Sequence, residues 1–268
     1  MSFEYRETPE DLQTRIDIHR KYGARDIDQW MLSLLRLQPG MRILDVGCGA
    51  GKQCRIFHEA LGGRAEILGG DVSLELLEQA RAVAAAMGGA FQVQELDFDR
   101  PFPFPTAQFD LLSCCFAIYY ARDIPHTIGE MERVLRPGGQ LFLSGPMPEN
   151  KLLFYEIIRQ ATRTAIPPMP GSSRYGSEIF QAVRRAFPRV DLHIFENPLA
   201  FRELDPFLAY TRASLSEDRK LWHDLFQSAG EFEQVMQSIR QVAAARLEKD
   251  GELVMTKVVG GIVAAKEG

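Results

Sequence analysis

Three glycines at alternate positions follow an apolar segment that ends in an acid, in the run DVGCGAGK that begins at Asp45. Glycine adopts positive φ angles and lets a ligand lie against backbone N–H groups where a strand turns into a helix. The glycines are Gly47, Gly49 and Gly51, and a lysine follows at position 52. This spacing fits neither the GxGxxG of a dinucleotide-binding turn nor the GxxxxGK[ST] of a phosphate-binding loop. By itself the triplet is also compatible with a plain tight turn.

Two later acids extend this pattern. Asp71 ends the second apolar run about twenty residues after the glycine turn, where a carboxylate can accept hydrogen bonds from both hydroxyls of a ribose. Asp97 and Phe98 end the third run, where an acid can accept from an adenine amino group and apolar side chains can cover the ring. Three strand ends directed at one nucleoside favour a binding site over three separate turns.

Strands and helices alternate through the first two thirds of the chain. The apolar runs MRILDV, AEILGGD, AFQVQEL, FDLLSCC and GQLFLSG are separated by helical patterns over 51–61, 73–87 and 123–135. This alternation predicts an α/β fold, with a mostly parallel sheet covered on both faces by helices. The ligand is expected beyond the carboxyl ends of the strands, where the strand order reverses.

Four segments in this order resemble the motifs of class I S-adenosylmethionine-dependent methyltransferases, in the small-molecule branch that includes ubiquinone/menaquinone-type C-methyltransferases. They are LDVGCGAGK, GGDVS, LDFDRPFPFPTAQFDLL and IGEMERVLRPGGQLFLSGP, within about residues 40–150. The resemblance implies a Rossmann-like sheet with one antiparallel C-terminal strand, which VMTKVVGGIVAAK suits, together with inserted helical cap segments. It also implies transfer of a methyl group from S-adenosylmethionine to a small molecule, with S-adenosylhomocysteine as the product.

Position by position, the resemblance implies the following cofactor-binding residues: Asp45, Gly47, Cys48, Gly49, Gly51, Gln53, Asp71, Val72, Asp97, Phe98, Cys115 and Phe116. The glycine turn, with the acid before it and the glutamine after it, would frame the methionine moiety. Asp71 would hold the ribose, Val72 would contact the adenine, and Asp97 with Phe98 would hold the adenine edge. The backbone around Cys115 and Phe116 would close the cleft.

Methyl transfer requires no nucleophilic residue, because the sulfonium donor is already activated and orientation of the acceptor can contribute roughly 7–11 kcal/mol. A general base is needed only if the acceptor loses a proton. The catalytic candidates are Tyr119, Tyr120 and His126, and no catalytic residue is assigned. The two tyrosines follow the fourth strand, where they either face a cationic group or pack as ordinary aromatics. DIPHTIGEM favours a helix start with Asp123 as its cap, which places His126 on a solvated first turn.

The chain is expected to be a single methyltransferase domain over 1–268. Its parts are an N-terminal helical lid at 1–37, a cofactor-binding core at 38–145, and helical insertions at 146–188 and 203–249 that form the acceptor pocket. The first insertion carries six Lys or Arg residues against three acids, which indicates an anionic acceptor or simply a solvated helix face. Arg174 and Tyr175, in an expected flexible loop, are the substrate candidates there, together with Tyr119. Tyr22, beside the helix break at Gly23, belongs either to the lid or to a helix corner.

Composition narrows the class of protein. Hydrophobic residues make up 46% of the chain and charged residues 25%, which is typical of a soluble globular protein. A net charge of -5 with no long basic run disfavours nucleic-acid binding, and the four cysteines lack the spacing of a metal site. A polar N-terminal segment and the absence of a membrane span predict a cytoplasmic protein. The oligomeric state is not indicated.

Three alternatives remain beside a methyltransferase that acts on an aromatic or anionic small molecule. The first is a non-catalytic protein that binds S-adenosylmethionine or S-adenosylhomocysteine. An NAD-linked oxidoreductase shares the acid after the second strand but lacks the glycine spacing. An RNA methyltransferase would be expected to carry an appended basic or stacking module, whereas residues 203–249 are slightly acidic.

Overall fold

Seven strands form one sheet in the structure, a computed structural model that describes residues 8–215 and 217–267. The strand order across the sheet is β3-β2-β1-β4-β5-β7-β6. The strands are β1 (Arg42–Val46), β2 (Glu66–Asp71), β3 (Gln92–Glu95), β4 (Phe109–Cys115), β5 (Leu135–Pro146), β6 (Arg189–Phe201) and β7 (Leu253–Ala265).

The register of the sheet places its ligand-binding edge. Strand β1 pairs in parallel with β2 on one side and with β4 on the other, and β7 runs antiparallel to β5. Since the chain leaves β1 toward β2 and returns to its other side with β4, the order reverses between β1 and β4. Ligands of open α/β sheets bind beyond the carboxyl ends of the strands at such a reversal. The mostly parallel sheet with an antiparallel C-terminal strand is confirmed.

Eleven α-helices accompany the strands in the described residues. They are α1 (Pro9–Tyr22), α2 (Ile27–Ser33), α3 (Lys52–Ala60), α4 (Leu74–Ala86), α5 (Ile124–Val134), α6 (Leu152–Thr162), α7 (Pro170–Arg174), α8 (Phe180–Ala186), α9 (Leu204–Ala213), α10 (Arg219–His223) and α11 (Ala229–Asp250). A 3-10 turn occupies Ile118–Tyr120, and one turn of π-helix, Tyr175–Ile179, joins α7 to α8. No helix among these described residues is long and apolar enough to cross a membrane.

Alternate residues of the central strands enter two different cores. Leu44 of β1 and Leu112 of β4 belong to one buried cluster, whereas Ile43 and Leu111 belong to another. Successive side chains of a strand point to opposite faces of the sheet, so each face has its own apolar layer. Near-continuous burial of β4 is the pattern of a strand covered by helices on both sides, as the sequence predicted.

The described chain divides into two compact units. Unit 1 comprises residues 8–26, Glu149–Met169 and Glu196–Val258, with residue 216 not described. It packs around a third apolar cluster, which contains Phe154, Tyr210 and Trp222. Unit 2 comprises Ile27–Pro148, Pro170–Phe195 and residues 259–267, and it contains the two sheet cores. Residues 1–7 of the expected lid and residue 268 lie outside the described residues.

Two sequence expectations about elements are wrong. The expected loop IPPMPGSSRYG becomes helix α7 at Pro170 and continues into the π-helical turn. The region 203–249, expected to be wholly helical, contains three helices interrupted after Ala213 and after His223. The predicted break near Gly23 is confirmed, since α1 ends at Tyr22 and α2 begins at Ile27.

Candidate functional site

The glycine turn connects β1 to α3 through three positive φ angles: 71° at Gly47, 52° at Gly49 and 81° at Gly51. The N–H groups of Gly47 and Cys48 donate to the carbonyl of Gly70 in β2, at 2.7 and 3.0 Å. A side chain on Gly49 would meet no heavy atom within 4 Å. The turn therefore has an open face beside Gly49, where backbone is accessible without a side chain in the way.

Gly47 brings three strand ends together. A Cβ atom at this position would lie 2.4 Å from Cβ of Ala117 and 3.9 Å from Cε1 of Phe98. Ala117 follows β4, and Phe98 follows β3. Contacts below 3 Å are not tolerated between carbon atoms, so only glycine allows this approach. The loops after β1, β3 and β4 thus converge at the carboxyl edge of the sheet, which we call the strand-end site.

Asp71, the last residue of β2, connects two turns of the strand-end site. Its Oδ2 atom accepts from the N–H of Gly49 at 2.8 Å, and Oδ1 accepts from the N–H of Ser73 at 2.9 Å. A carboxylate has about four acceptor positions, so capacity remains for a ligand hydroxyl. Val72, the next residue, is 56% exposed although it is apolar.

Asp45 lies completely buried at the end of β1. Its Oδ1 atom accepts from the hydroxyl of Ser113 at 2.5 Å, and its Oδ2 atom lies 3.7 Å from the Cys54 thiol. Burial, with a smaller contribution from the charge of Asp71, raises the pKa of Asp45 to about 7, although the two hydrogen bonds act to lower it. The site therefore contains a desolvated carboxyl group whose ionised form calls for a cation.

Gln53 and Cys48 flank the glycine turn from the inside. The Gln53 side chain, on α3, is buried, and its Nε2 atom has no hydrogen-bond partner among the described residues. The Cys48 side chain packs inward, with its sulfur 2.8 Å from the position of a Cβ on Gly69. Only the backbone of Cys48 therefore belongs to the open face. The side-chain amide of Gln53 is a buried donor that can still bind a ligand.

The third strand end is formed by Asp97 and Phe98. Asp97 Oδ1 accepts from the N–H of Asp99 at 3.0 Å, and Oδ2 lies 3.2 Å from the exposed Arg100. The carbonyl of Phe98 accepts from the Thr127 hydroxyl at 3.0 Å, which attaches this loop to α5.

The fourth strand, β4, ends at Cys115, and Phe116 follows it. Phe116 adopts a φ of 55°, unusual for an aromatic residue, and its N–H donates to the carbonyl of Ser144 in β5 at 2.8 Å. Its ring is 37% exposed. With Val72, it gives the site two exposed apolar side chains, the kind of surface that covers a heterocyclic ring.

Tyr119 and Tyr120 lie on the 3-10 turn that follows β4. Their ring centroids are 4.7 Å apart, and Tyr120 is 71% exposed. Arg174 holds this turn, because one of its guanidinium nitrogens donates to the carbonyls of Tyr119 and Ala121, at 2.8 and 2.7 Å. The same guanidinium pairs with Glu178. Arg174, expected to contact an anionic acceptor, is engaged here in fixing the tyrosine-bearing turn.

The other three acceptor candidates are less accessible or belong to another unit. Tyr175 is fully buried, and its hydroxyl donates to the carbonyl of Leu143 at 2.8 Å, so the ring is not accessible in this structure. His126 occupies the first turn of α5, which Asp123 caps as predicted; the imidazole is half-buried, not solvated. Tyr22 belongs to unit 1, where its ring packs 5.0 Å from that of Phe201.

Sequence reasoning missed two contributors to this site. Ser113 lies directly opposite Asp45 in the β1–β4 register, and only the strand pairing reveals that the two side chains meet. Asp28 of α2 accepts from the Lys52 ammonium at 2.8 Å, beside the start of α3. Asp28 and Lys52 are 24 residues apart in the chain, so no local sequence pattern indicates that they pair.

Comparison with known proteins gives a family match for the core of this site. Residues 43–139 match the family described as "Methyltransferase domain". This segment contains the glycine turn, Asp71, Asp97 and the tyrosine-bearing turn.

Two curated relatives match over a similar stretch. Nocamycin O-methyltransferase from Saccharothrix syringae is 31% identical over 48% of this chain and 46% of its own length. The ubiquinone/menaquinone biosynthesis C-methyltransferase UbiE from Teredinibacter turnerae is 30% identical over 47% of this chain and 51% of its own length. The chain thus spans about half the length of the curated relatives it matches.

A solved structure extends the likeness of fold to nearly the whole chain. Phosphoethanolamine N-methyltransferase 2 from Haemonchus contortus, solved in complex with S-adenosyl-L-methionine, superposes with a TM-score of 0.54 at 15% identity. The match covers 99% of this chain and 60% of the other. It supports the Rossmann-like sheet predicted from the sequence.

Proposed function

We propose that this chain, whose residues 43–139 match a methyltransferase domain, is a class I enzyme that transfers a methyl group from S-adenosylmethionine to a small-molecule acceptor. One observation carries the proposal. The Gly49 N–H is bound to Asp71 while the other side of Gly49 is open, at the point where four strand ends converge. Each residue that would hold a nucleoside and an amino acid belongs to this one edge of the sheet.

The donor groups of the strand-end site fit this cofactor. S-Adenosylmethionine carries an ammonium and a sulfonium, and the buried Asp45 carboxyl lacks a nearby cation among the groups that shift its pKa. The unpartnered Nε2 of Gln53 can donate to the carboxylate of the methionine moiety. Asp71 retains acceptor capacity for the ribose, and the exposed Val72 and Phe116 can cover the adenine.

Bound in this way, the cofactor would supply an activated methyl group on its sulfonium. The residues of the chain then have to orient an acceptor in line with that group and exclude water, a contribution of roughly 7–11 kcal/mol when orientation is good. Tyr119 and Tyr120 are the accessible side chains next to the β4 end, and we assign them to acceptor positioning. Their aromatic faces can stabilise a cationic centre by roughly 0.5–2 kcal/mol.

A small aromatic molecule is the first acceptor class to examine. The two relatives act, by their names, at carbon in quinone biosynthesis and at oxygen in nocamycin, and the N-methyltransferase of similar fold acts at nitrogen. This spread leaves the acceptor atom open. The matches support a methyltransferase fold and a cofactor site rather than one acceptor chemistry.

The test follows S-adenosylhomocysteine formation with a methyl-labelled donor and a panel of hydroquinones, phenols and aromatic carboxylates. We expect equal amounts of S-adenosylhomocysteine and methylated product with at least one member, and loss of both in Asp71→Asn. The Gly40→Ala variant is the matched control, since Gly40 lies in the turn before β1, outside the strand-end site. Tight cofactor binding without methylation of any acceptor would support a non-catalytic cofactor-binding protein instead.

A further inference from the structure

A cluster of charged side chains, most of them buried, lies within unit 1 and includes none of the residues assigned above. Its centre is Lys151, whose ammonium is fully buried and donates to Glu217 and to Asp218, both at 3.0 Å. Asp218 also accepts from the Tyr155 hydroxyl at 3.0 Å, and Arg15 pairs with Glu217 at 2.8 Å. We call these five residues, together with three neighbouring side chains, the Lys151 cluster; the three neighbours are His19, Tyr210 and Lys257.

Stability alone does not account for this arrangement. Desolvating two charges opposes their attraction, so a buried ion pair is often no better than an apolar pair of the same size. Lys151 also adopts a φ of 61° ahead of α6, a conformation that is unfavourable for a residue other than glycine. Burial opposes its charge, but Asp218 and Glu217 outweigh this and raise the pKa of Lys151. Costs of this kind concentrate at binding sites.

Three cations and two carboxylates of the described residues meet in the cluster. Arg15, Lys151 and Lys257 face two carboxylates, those of Glu217 and Asp218. The N–H of Lys151 donates to the carbonyl of Thr256 at 3.0 Å, which places the neighbouring Lys257 beside the cluster. Within residues 8–215 and 217–267, no hydrogen bond or ion pair involves the Lys257 ammonium, although it acts electrostatically on Glu217. The Glu217 side chain is 36% exposed, so the cluster reaches solvent on one side.

Two aromatic residues, Tyr210 and His19, also belong to the cluster. Tyr210 is fully buried, and its hydroxyl has no partner among the described residues. A buried donor without a partner is unfavourable, and an acceptor atom of a ligand would remove that penalty. The ring of His19 meets that of Tyr210 edge to face at 5.7 Å. Burial, and then the charge of Lys257, lower the pKa of His19 to about 3, so the imidazole remains neutral beside the cations.

We propose that the Lys151 cluster binds the carboxylate or phosphate group of a small molecule, with Lys257 and Tyr210 as the groups that contact the anion. An ammonium and a buried hydroxyl that both lack a partner among the described residues are the complement of a single anionic group. Glu217 and Asp218 keep Lys151 and Arg15 in place and limit the site to one such group. This inference goes beyond the proposed function, because it holds whether or not the chain transfers methyl groups.

Calorimetric titrations with sodium benzoate and with inorganic phosphate, at matched ionic strength, test the proposal. We expect saturable binding of one or both anions to the wild type, and a loss of about tenfold, equivalent to about 1.4 kcal/mol, in Tyr210→Phe and in Lys257→Gln. Benzoate alone would identify a carboxylate site, phosphate alone a phosphate site, and both a general anion site. The ring signals of His19 should move during the titration in an NMR experiment.

Matched variants separate binding from folding. Tyr210→Phe removes a hydroxyl without a partner, so it should unfold at the same or higher urea concentration as the wild type. Lys220→Gln changes an exposed lysine of α10 and should leave anion binding unchanged. Binding of S-adenosylhomocysteine, which involves unit 2, is expected to persist in all three variants, so a failure here is distinct from a failure of the proposed function. Equal anion affinity in wild type, Tyr210→Phe and Lys257→Gln, or no saturable binding, would overturn the proposal.

Discussion

Replacing Gly49 by alanine separates the cost of backbone conformation from the loss of a ligand. Gly49 has a φ of 52°, and a Cβ atom added there would meet no heavy atom of residues 8–215 or 217–267 within 4 Å. Gly40 shares both properties, with a φ of 86° and open space around it, but it precedes β1 and lies away from the strand-end site. The two substitutions therefore impose a similar backbone strain at two places, only one of which is proposed to contact the cofactor.

The magnitudes follow from these geometries. The left-handed conformation costs an alanine roughly 1–2 kcal/mol, and the reduced freedom of the unfolded chain returns about 0.4–1 kcal/mol. Both variants should thus lose about 1 kcal/mol of unfolding free energy. In Gly49→Ala the new methyl group additionally occupies the space where the cofactor would lie against the backbone. We expect at least about a tenfold loss of affinity for S-adenosylhomocysteine, equivalent to about 1.4 kcal/mol.

Urea unfolding gives the first quantity and calorimetric titration the second, on the same preparations. Gly40→Ala should bind S-adenosylhomocysteine as the wild type does, whereas Gly49→Ala should bind weakly while remaining folded. Undiminished affinity in Gly49→Ala would refute the assignment of the open face of the glycine turn to the cofactor. A similar loss of affinity in both variants would trace the effect to stability and refute it as well.

Three further predictions concern single side chains. Burial raises the pKa of Asp45 from 3.8 to about 7, so the folded state binds one proton more than the unfolded state between these pH values. The free energy of unfolding should therefore fall as pH rises through this window, by roughly 4 kcal/mol at most. Urea unfolding of Asp45→Asn should lack this fall. Arg174→Lys cannot reproduce the planar guanidinium that holds the carbonyl of Tyr119, so amide exchange over the 118–120 turn should accelerate while the urea midpoint changes little; unchanged exchange would contradict this role. Lys151→Met leaves Asp218 buried without its ammonium and should cost about 3–5 kcal/mol in urea unfolding, whereas a neutral or stabilising effect would show that the pair is dispensable.

The sheet and the strand-end site could be predicted because their signals are local. Strands β1 and β2 are short apolar runs, and their ends coincide with residues that the turns require, Gly47 after β1 and Asp71 at the end of β2. A strand that is buried on both faces appears in the sequence as an apolar run, and a positive φ angle appears as a glycine. Both features can therefore be predicted from one sequence.

Features set by distant contacts could not be predicted in this way. The segment around Tyr175 is rich in Pro, Gly and Ser, which favours a loop, but burial of Tyr175 and Ile179 outweighs that propensity and produces helix. Lys151 looked like one of several surface cations, whereas its partners lie more than 60 residues away in the chain. Ser113 carries no local sign of its hydrogen bond to Asp45, which only the strand register creates.

The most direct test of the central claim is a calorimetric titration of the wild type and Asp71→Ala with S-adenosylmethionine and S-adenosylhomocysteine. The strand-end site predicts saturable binding of both compounds to the wild type at one site per chain. Binding to the variant should be strongly weakened, because Asp71 fixes Gly49 and is the residue proposed to hold the ribose. Circular dichroism and urea unfolding establish that each protein is folded. Absence of binding of either compound to folded wild-type protein would contradict the assignment of the glycine turn to this cofactor.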